Sequence, residues 1–213
     1  MDVLLRSFLQ RMRPRARRAH LATYEDVALA MEGFLRARRR SPARLRVGEL
    51  HLFLGYWYLR RHHPTTSRRT RRFCAATSVL VHWLTAGASE RRRRLLRREA
   101  RRAARDATRA ARAMELLEQM PAAARLSDPT EIVEDYCEVV VRARSHLVLR
   151  PLSAPALVGP VVVPEALAAA LDPGAILNLQ LGRSDGCWAI LDHGFCYPSG
   201  ARQALRGAAE VSR

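Results

Sequence analysis

The sequence predicts an α+β protein: a mainly helical, basic N-terminal half, a long connecting helix, and a small β-containing C-terminal module. Apolar residues recur at spacings of three and four as far as residue 117, the mark of core-facing helices. Short Val- and Leu-rich runs bounded by turn residues take over from residue 146. Charge divides at the same place. Of 213 residues 37 are basic, all of them arginine, and the net charge is +17. Residues 1–112 hold 29 Arg and 8 acids, whereas residues 113–213 hold 8 Arg and 12 acids. A genome-wide preference for arginine would not place the excess in one half. The N-terminal half therefore reads as a surface that faces a polyanion, nucleic acid first and an anionic membrane second.

Residues 1–20 read as a basic amphipathic arm. Val3, Leu4, Phe8 and Met12 share a helix face that ends near Pro14, and residues 11–20 are flexible and arginine-rich. A helical domain follows over residues 21–88. Thr23, with Asp26 three residues on, opens a helix whose apolar side is Val27, Met31, Phe34 and Leu35, and Pro42 marks the turn after it. A second helix runs from Leu45 to Arg61 with Leu50, Phe53, Leu54, Trp57 and Tyr58. Thr66 or Ser67 caps a third helix, which extends to about Thr85 with a stripe of Phe73, Ala76, Leu80, Trp83 and Leu84. Gly87 stops it.

Ser89 caps a long helix over residues 89–120, about 46 Å at 1.5 Å per residue. Leu96, Ala100, Ala103, Ala107, Ala110, Met114 and Leu117 repeat alternately at four and three, a heptad seam built mostly of alanine. A helical protein partner or a second copy could pack along residues 96–117. Beside the seam runs a row of Arg94, Arg98, Arg101, Arg105, Arg109 and Arg112, readable as a solvated face or as a phosphate-tracking one. Residues 127–200 form the small α+β module. Asp128, Pro129 and Glu131 predict a helix reaching about Arg144. Strand signals follow at 146–149, 161–163, 176–181 and 187–191, with a short helix at 165–171 and hairpin-turn chemistry at Arg183-Ser184-Asp185-Gly186. Residues 201–213 read as a frayed tail.

The stretch at 45–86, with Glu49-Leu50, Phe53-Leu54 and Tyr58-Leu59, then Ser67, Thr70, Arg71, Phe73, Ala76, Leu80 and Trp83-Leu84, resembles the core-binding domain of tyrosine recombinases and integrases. Residues 24–42 could supply that domain's leading helix. The resemblance implies duplex DNA binding and a phage, plasmid or other mobile-element setting. The family's catalytic domain has no counterpart: no HxxR occurs, since His146 and Arg150 are separated by three residues, and Tyr197 lies in an unrelated strand context. Residues 157–191, with Gly159, Val161 to Pro164, Leu167, Leu171, Gly174 and Leu177, are similar to swapped-hairpin DNA-binding proteins of the AbrB type. Pro160 stands where that family has its DNA-facing arginine, which implies dimerisation in place of DNA contact.

No catalytic constellation, glycine-rich phosphate loop or nucleophile elbow is present, so a non-enzymatic protein is expected. Cys74, Cys137, Cys187 and Cys196 lack the short paired spacings of a zinc site and read as free thiols of a reducing compartment. No cofactor is called for. No apolar run reaches the roughly 20 residues needed to cross a bilayer, and Asp2 and Arg6 argue against a secretory signal. A soluble, intracellular protein is the expectation.

The residues expected to contact nucleic acid, DNA before RNA, are Thr66, Ser67, Arg68, Arg69, Thr70, Arg71 and Arg72 at the start of the third helix, and Arg94, Arg98, Arg101 and Arg105 on the long one. A helix start offers backbone N–H groups and a positive dipole end, and guanidiniums add to both. An RNA-binding protein, or an assembly factor with an acidic partner, are the alternatives.

Overall fold

The computed structural model describes residues 1–120, 129–202, 204 and 205. It bears out the α+β class: helices occupy the N-terminal half and strands the C-terminal one. The chain divides into two compact units, Met1–Thr108 and Arg109–Arg213.

The first unit is helical. Helix α1 (Val3–Met12) starts at Asp2, whose carboxylate accepts from the Leu4 N–H at 2.9 Å. Leu5, Phe8 and Leu9 are its buried face. Phe8 meets Tyr24 and Trp83, each at 5.8 Å between ring centres. The expected basic arm is thus largely built into the unit, because three large apolar residues find a core there. Helix α2 (Arg18–Ala37) begins five residues before Thr23, whose hydroxyl donates back to the Ala19 carbonyl and caps nothing. Val27, Met31, Phe34 and Leu35 are buried as expected.

A short 3-10 turn at Pro42–Arg44 leads into one continuous rod of three pieces. These are α3 (Val47–Leu52), a π-helical turn (Phe53–Tyr58), and α4 (Leu59–Arg61). Its aromatic residues form the unit's centre: Phe53 lies 5.3 Å from Phe34 and 5.9 Å from Phe73, and Tyr58 stacks on Phe73 at 4.0 Å. Rings in such contact belong to the core, where each pair adds to the burial of its area. Helix α5 (Ser67–Leu84) follows, then α6 (Glu90–Glu118).

All seven residues of the α6 seam are buried. The row expected to await a partner helix is therefore already covered within this chain. Alanine is suited to that place because its small side chain permits a close approach.

The second unit contains a closed five-stranded barrel: β1 (Glu131–Arg142), β2 (His146–Pro151), β3 (Val158–Val162), β4 (Ile176–Ser184) and β5 (Cys187–Tyr197). Around the barrel the order is β1-β2-β3-β5-β4. Only β3 and β5 are parallel; the other neighbours are antiparallel. Helix α7 (Glu165–Ala170) lies between β3 and β4 in the chain. Five strands in this order, with a helix after the third, form a Greek-key barrel of the OB type. The stretch that resembles swapped-hairpin proteins supplies β3, α7, β4 and the start of β5, and a single chain closes them into the barrel.

The helix expected over 128–144 is strand β1 instead, paired with β4 from Glu131 opposite Arg183 to Glu138 opposite Ile176, and with β2 from Cys137 opposite Pro151 to Arg142 opposite Leu147. Val139, Val140 and Val141 favour extended backbone, and the ladder outweighs the local helix-start residues. The expected cap Asp128 lies outside the described residues, as does tail segment 206–213. Asp185 and Gly186, with φ of 49° and 77°, make the β4–β5 hairpin turn, the two positive values that a type I′ turn requires. Among the described residues no helix is long and apolar enough to cross a membrane.

Candidate functional site

Thr66 sets the start of α5. Its φ and ψ are extended and its hydroxyl accepts from the Arg69 N–H at 3.1 Å. The expected cap is in place, and it fixes where the arginines of the first turns point. Arg68, Arg69, Arg71 and Arg72 line the first two turns, and all four are exposed. Thr70 is fully buried, with its hydroxyl 3.4 Å from that of Thr65, which lies 3.4 Å from the Tyr58 hydroxyl. This hydroxyl chain fastens α5 to the aromatic core and removes Thr70 from the set that could touch a ligand. Ser67 is half-buried at the first turn of the helix.

A cavity of about 460 Å³ opens at this helix start. Its wall includes Arg68, Arg69 and Arg72 with Thr66 from α5 and its cap, His62 after α4, and Thr23 and Asp26 from α2. Arg71 is not part of it. Tyr58 and Phe73 contribute apolar surface. The sequence pointed to the arginines; His62 and Asp26 join them only through the fold. Burial pushes the His62 pKa down from its ordinary value, and the charges of Arg69 and Arg61 push it further, against Asp26. His62 is therefore neutral at pH 7, one imidazole beside three guanidiniums and one carboxylate.

No family model, curated protein or solved structure matches the chain. What the site can do must be read from its chemistry.

The second set of arginines lies on α6. Arg94, Arg98, Arg101, Arg105, Arg109 and Arg112 form its charged row, as their spacing predicts. Arg94 pairs with Glu90 at 3.4 Å, Arg98 with Glu99 at 3.0 Å and Arg112 with Glu115 at 3.0 Å. Arg109 pairs with Asp172. Arg101 and Arg105 have no carboxylate partner among the described residues.

The barrel's arginines are differently placed. Arg144 pairs with Glu165 at 3.0 Å and Arg183 with Glu131 at 3.4 Å; Arg150 and Arg202 flank the buried Glu138 at 3.7 and 2.7 Å. Most of the barrel's positive charge is thus answered by carboxylates of the barrel itself. Among the described residues no three His, Cys, Asp or Glu side chains are grouped to hold a metal ion. Three of the four thiols are buried, and burial raises Cys74, Cys137 and Cys196 to about 12.

Proposed function

We propose that this is a non-catalytic nucleic-acid-binding protein that grips the phosphates of duplex DNA through its arginine-rich helices, with the start of α5 as the principal contact. The observation that carries this reading is the cavity at that start. Three guanidiniums and the positive end of an 18-residue helix converge on a space faced by one carboxylate. Phosphate satisfies this arrangement: it takes backbone donors, guanidiniums and the helix dipole together. The likeness of residues 45–86 to recombinase core-binding domains points the same way. The OB-type barrel adds support, since barrels of that type bind oligonucleotides or oligosaccharides on the face of strands 2 and 3. Its internally paired arginines make it the lesser contributor of charge. An assembly role for the α6 seam loses its surface, because the seam is buried.

The test is fluorescence polarisation of two unrelated labelled duplexes at several salt concentrations. Arg68→Ala/Arg72→Ala should weaken both equally and lower the slope of log affinity against log salt by about 0.9 for each phosphate no longer held. The charge-matched pair Arg11→Ala/Arg13→Ala should do neither. Equal effects of the two pairs would show that net charge alone attracts DNA and would overturn the site. A duplex RNA of the same length measures the preference between the two nucleic acids.

A further inference from the structure

On α6, Arg94, Arg97, Arg98, Arg101 and Arg105 line a shallow groove of about 390 Å³, and among the described residues no other contributes to its wall. Arg97 is the member that the exposed row omits. It is half-buried, and its Nε is buried with no hydrogen-bond partner among the described residues. A buried donor left unmet is unfavourable, and like charges three and four residues apart on a helix repel. Of the five, only Arg94 and Arg98 have carboxylate neighbours among the described residues, Glu90 and Glu99. The groove is thus a cationic trough that the described protein does not neutralise.

We infer that this groove binds a run of consecutive phosphates on one nucleic-acid strand, with Arg97 as the added contact at its base. The inference rests on the nucleic-acid function proposed for the α5 start and deepens it. From Arg94 to Arg105 is eleven residues, about 16.5 Å of helix axis. One strand of a duplex presents a phosphate about every 3.4 Å of its axis, so about five fall within that length. Five guanidiniums meet roughly five phosphates. A wall made of arginine alone offers no apolar residue to insert into a membrane and no feature that reads a base, so recognition here is of backbone, independent of sequence.

The experiment uses the full chain, with Arg97→Ala/Arg101→Ala on α6 set beside Arg68→Ala/Arg72→Ala on α5. Arg101→Ala/Arg105→Ala, at exposed positions, serves if the first pair disturbs folding. Probes are a labelled 20-base-pair duplex, a 12-nucleotide single strand, an octaglutamate peptide, and vesicles of phosphatidylserine and phosphatidylcholine. The α6 pair should lower the salt slope by about 1.8 on the duplex and about 1.4 on the single strand, roughly 0.9 and 0.7 for each phosphate. The peptide and vesicles should bind more weakly than either nucleic acid. An unchanged slope for the α6 pairs, with the α5 pair still reducing it, overturns the groove and leaves the proposed function standing. Absence of nucleic-acid binding by the unaltered chain overturns both. Tighter binding of the peptide or the vesicles, abolished in the α6 pairs, reassigns the groove to an acidic protein or a lipid surface and overturns the inference.

Discussion

His51 on α3 and Glu99 on α6 meet across 48 residues of sequence, with Nε2 and Oε2 3.2 Å apart. Glu99 is buried, and its other carboxylate oxygen accepts from Arg98 Nε at 3.0 Å. The junction thus ties the helix bearing the arginine groove to the aromatic core of its own unit.

Its chemistry sets a pH dependence. Hydrogen bonds from His51 and then Arg98 hold the Glu99 carboxyl below its ordinary 4.5, against the opposing effect of burial. A carboxylate whose folded-state pKa is lowered contributes stability that is complete above the unfolded value and is lost as pH falls through the folded one. Glu99→Gln should therefore destabilise the protein at pH 7 by on the order of 1 kcal/mol. The gap to the unaltered chain should close as pH drops below the ordinary 4.5 and through the lowered folded-state value. Thermal melts of both proteins from pH 7 to pH 3 provide the check; a gap that does not change with pH contradicts the assignment.

The α6 seam makes a second prediction. Ala107 is fully buried and Ala103 nearly so. Ala107→Glu places an unpaired charge in that space and should cost several kcal/mol. Ala88, outside the helix, should tolerate the same change. Circular dichroism melts of the two variants distinguish them; equal midpoints would mean that the seam is not packed.

Two glycines should respond in opposite senses. Gly159 has φ of +141°, and a Cβ there would lie 2.8 Å from the Leu147 carbonyl oxygen. Gly159→Ala should destabilise by about 2 kcal/mol or more, through strain and backbone collision. Gly48 lies in α3, and a methyl group added there would meet nothing within 4 Å, so Gly48→Ala should be neutral or stabilise by up to about 1 kcal/mol. Urea unfolding of both measures the contrast.

Thiol chemistry supplies the fourth. Cys187 is exposed, while Cys74, Cys137 and Cys196 are buried and raised to about 12. Only thiolates react well. A chromogenic disulfide reagent at pH 8 should consume one equivalent quickly and three more only in denaturant. Rapid loss of a second equivalent from the native protein would contradict the buried placements.

What could be read in advance follows from how local each signal is. The Thr66 cap, the α6 seam and the Asp185-Gly186 turn are determined by residues a few positions apart, and each stands where its spacing places it. Strand β1 depends on partners some forty residues distant, which a reading of Asp128 to Glu131 as a helix start could not weigh. The candidate site shows the same division. Arg68, Arg69 and Arg72 were legible because they crowd a capped helix start. Thr70 belonged to the same run, yet the burial of its side chain follows from Tyr58 and Thr65. Arg97 could have been found, being three residues after Arg94 and four before Arg101, on the same helix face.

The π turn at Phe53–Tyr58 acts on phase. A helix with i→i+5 bonding holds one residue more than its α-helical equivalent, which sets everything after it back by about 100°, one residue's share of a 3.6-residue turn. The rod therefore enters with one azimuth and leaves with another, and Leu50, Leu54, Tyr58 and Leu59 all reach the interior. A chain lacking Gly55 would make a more regular helix of the wrong handover: Tyr58 would swing away from Phe73, and the loop carrying His62 would depart from a different side of the rod.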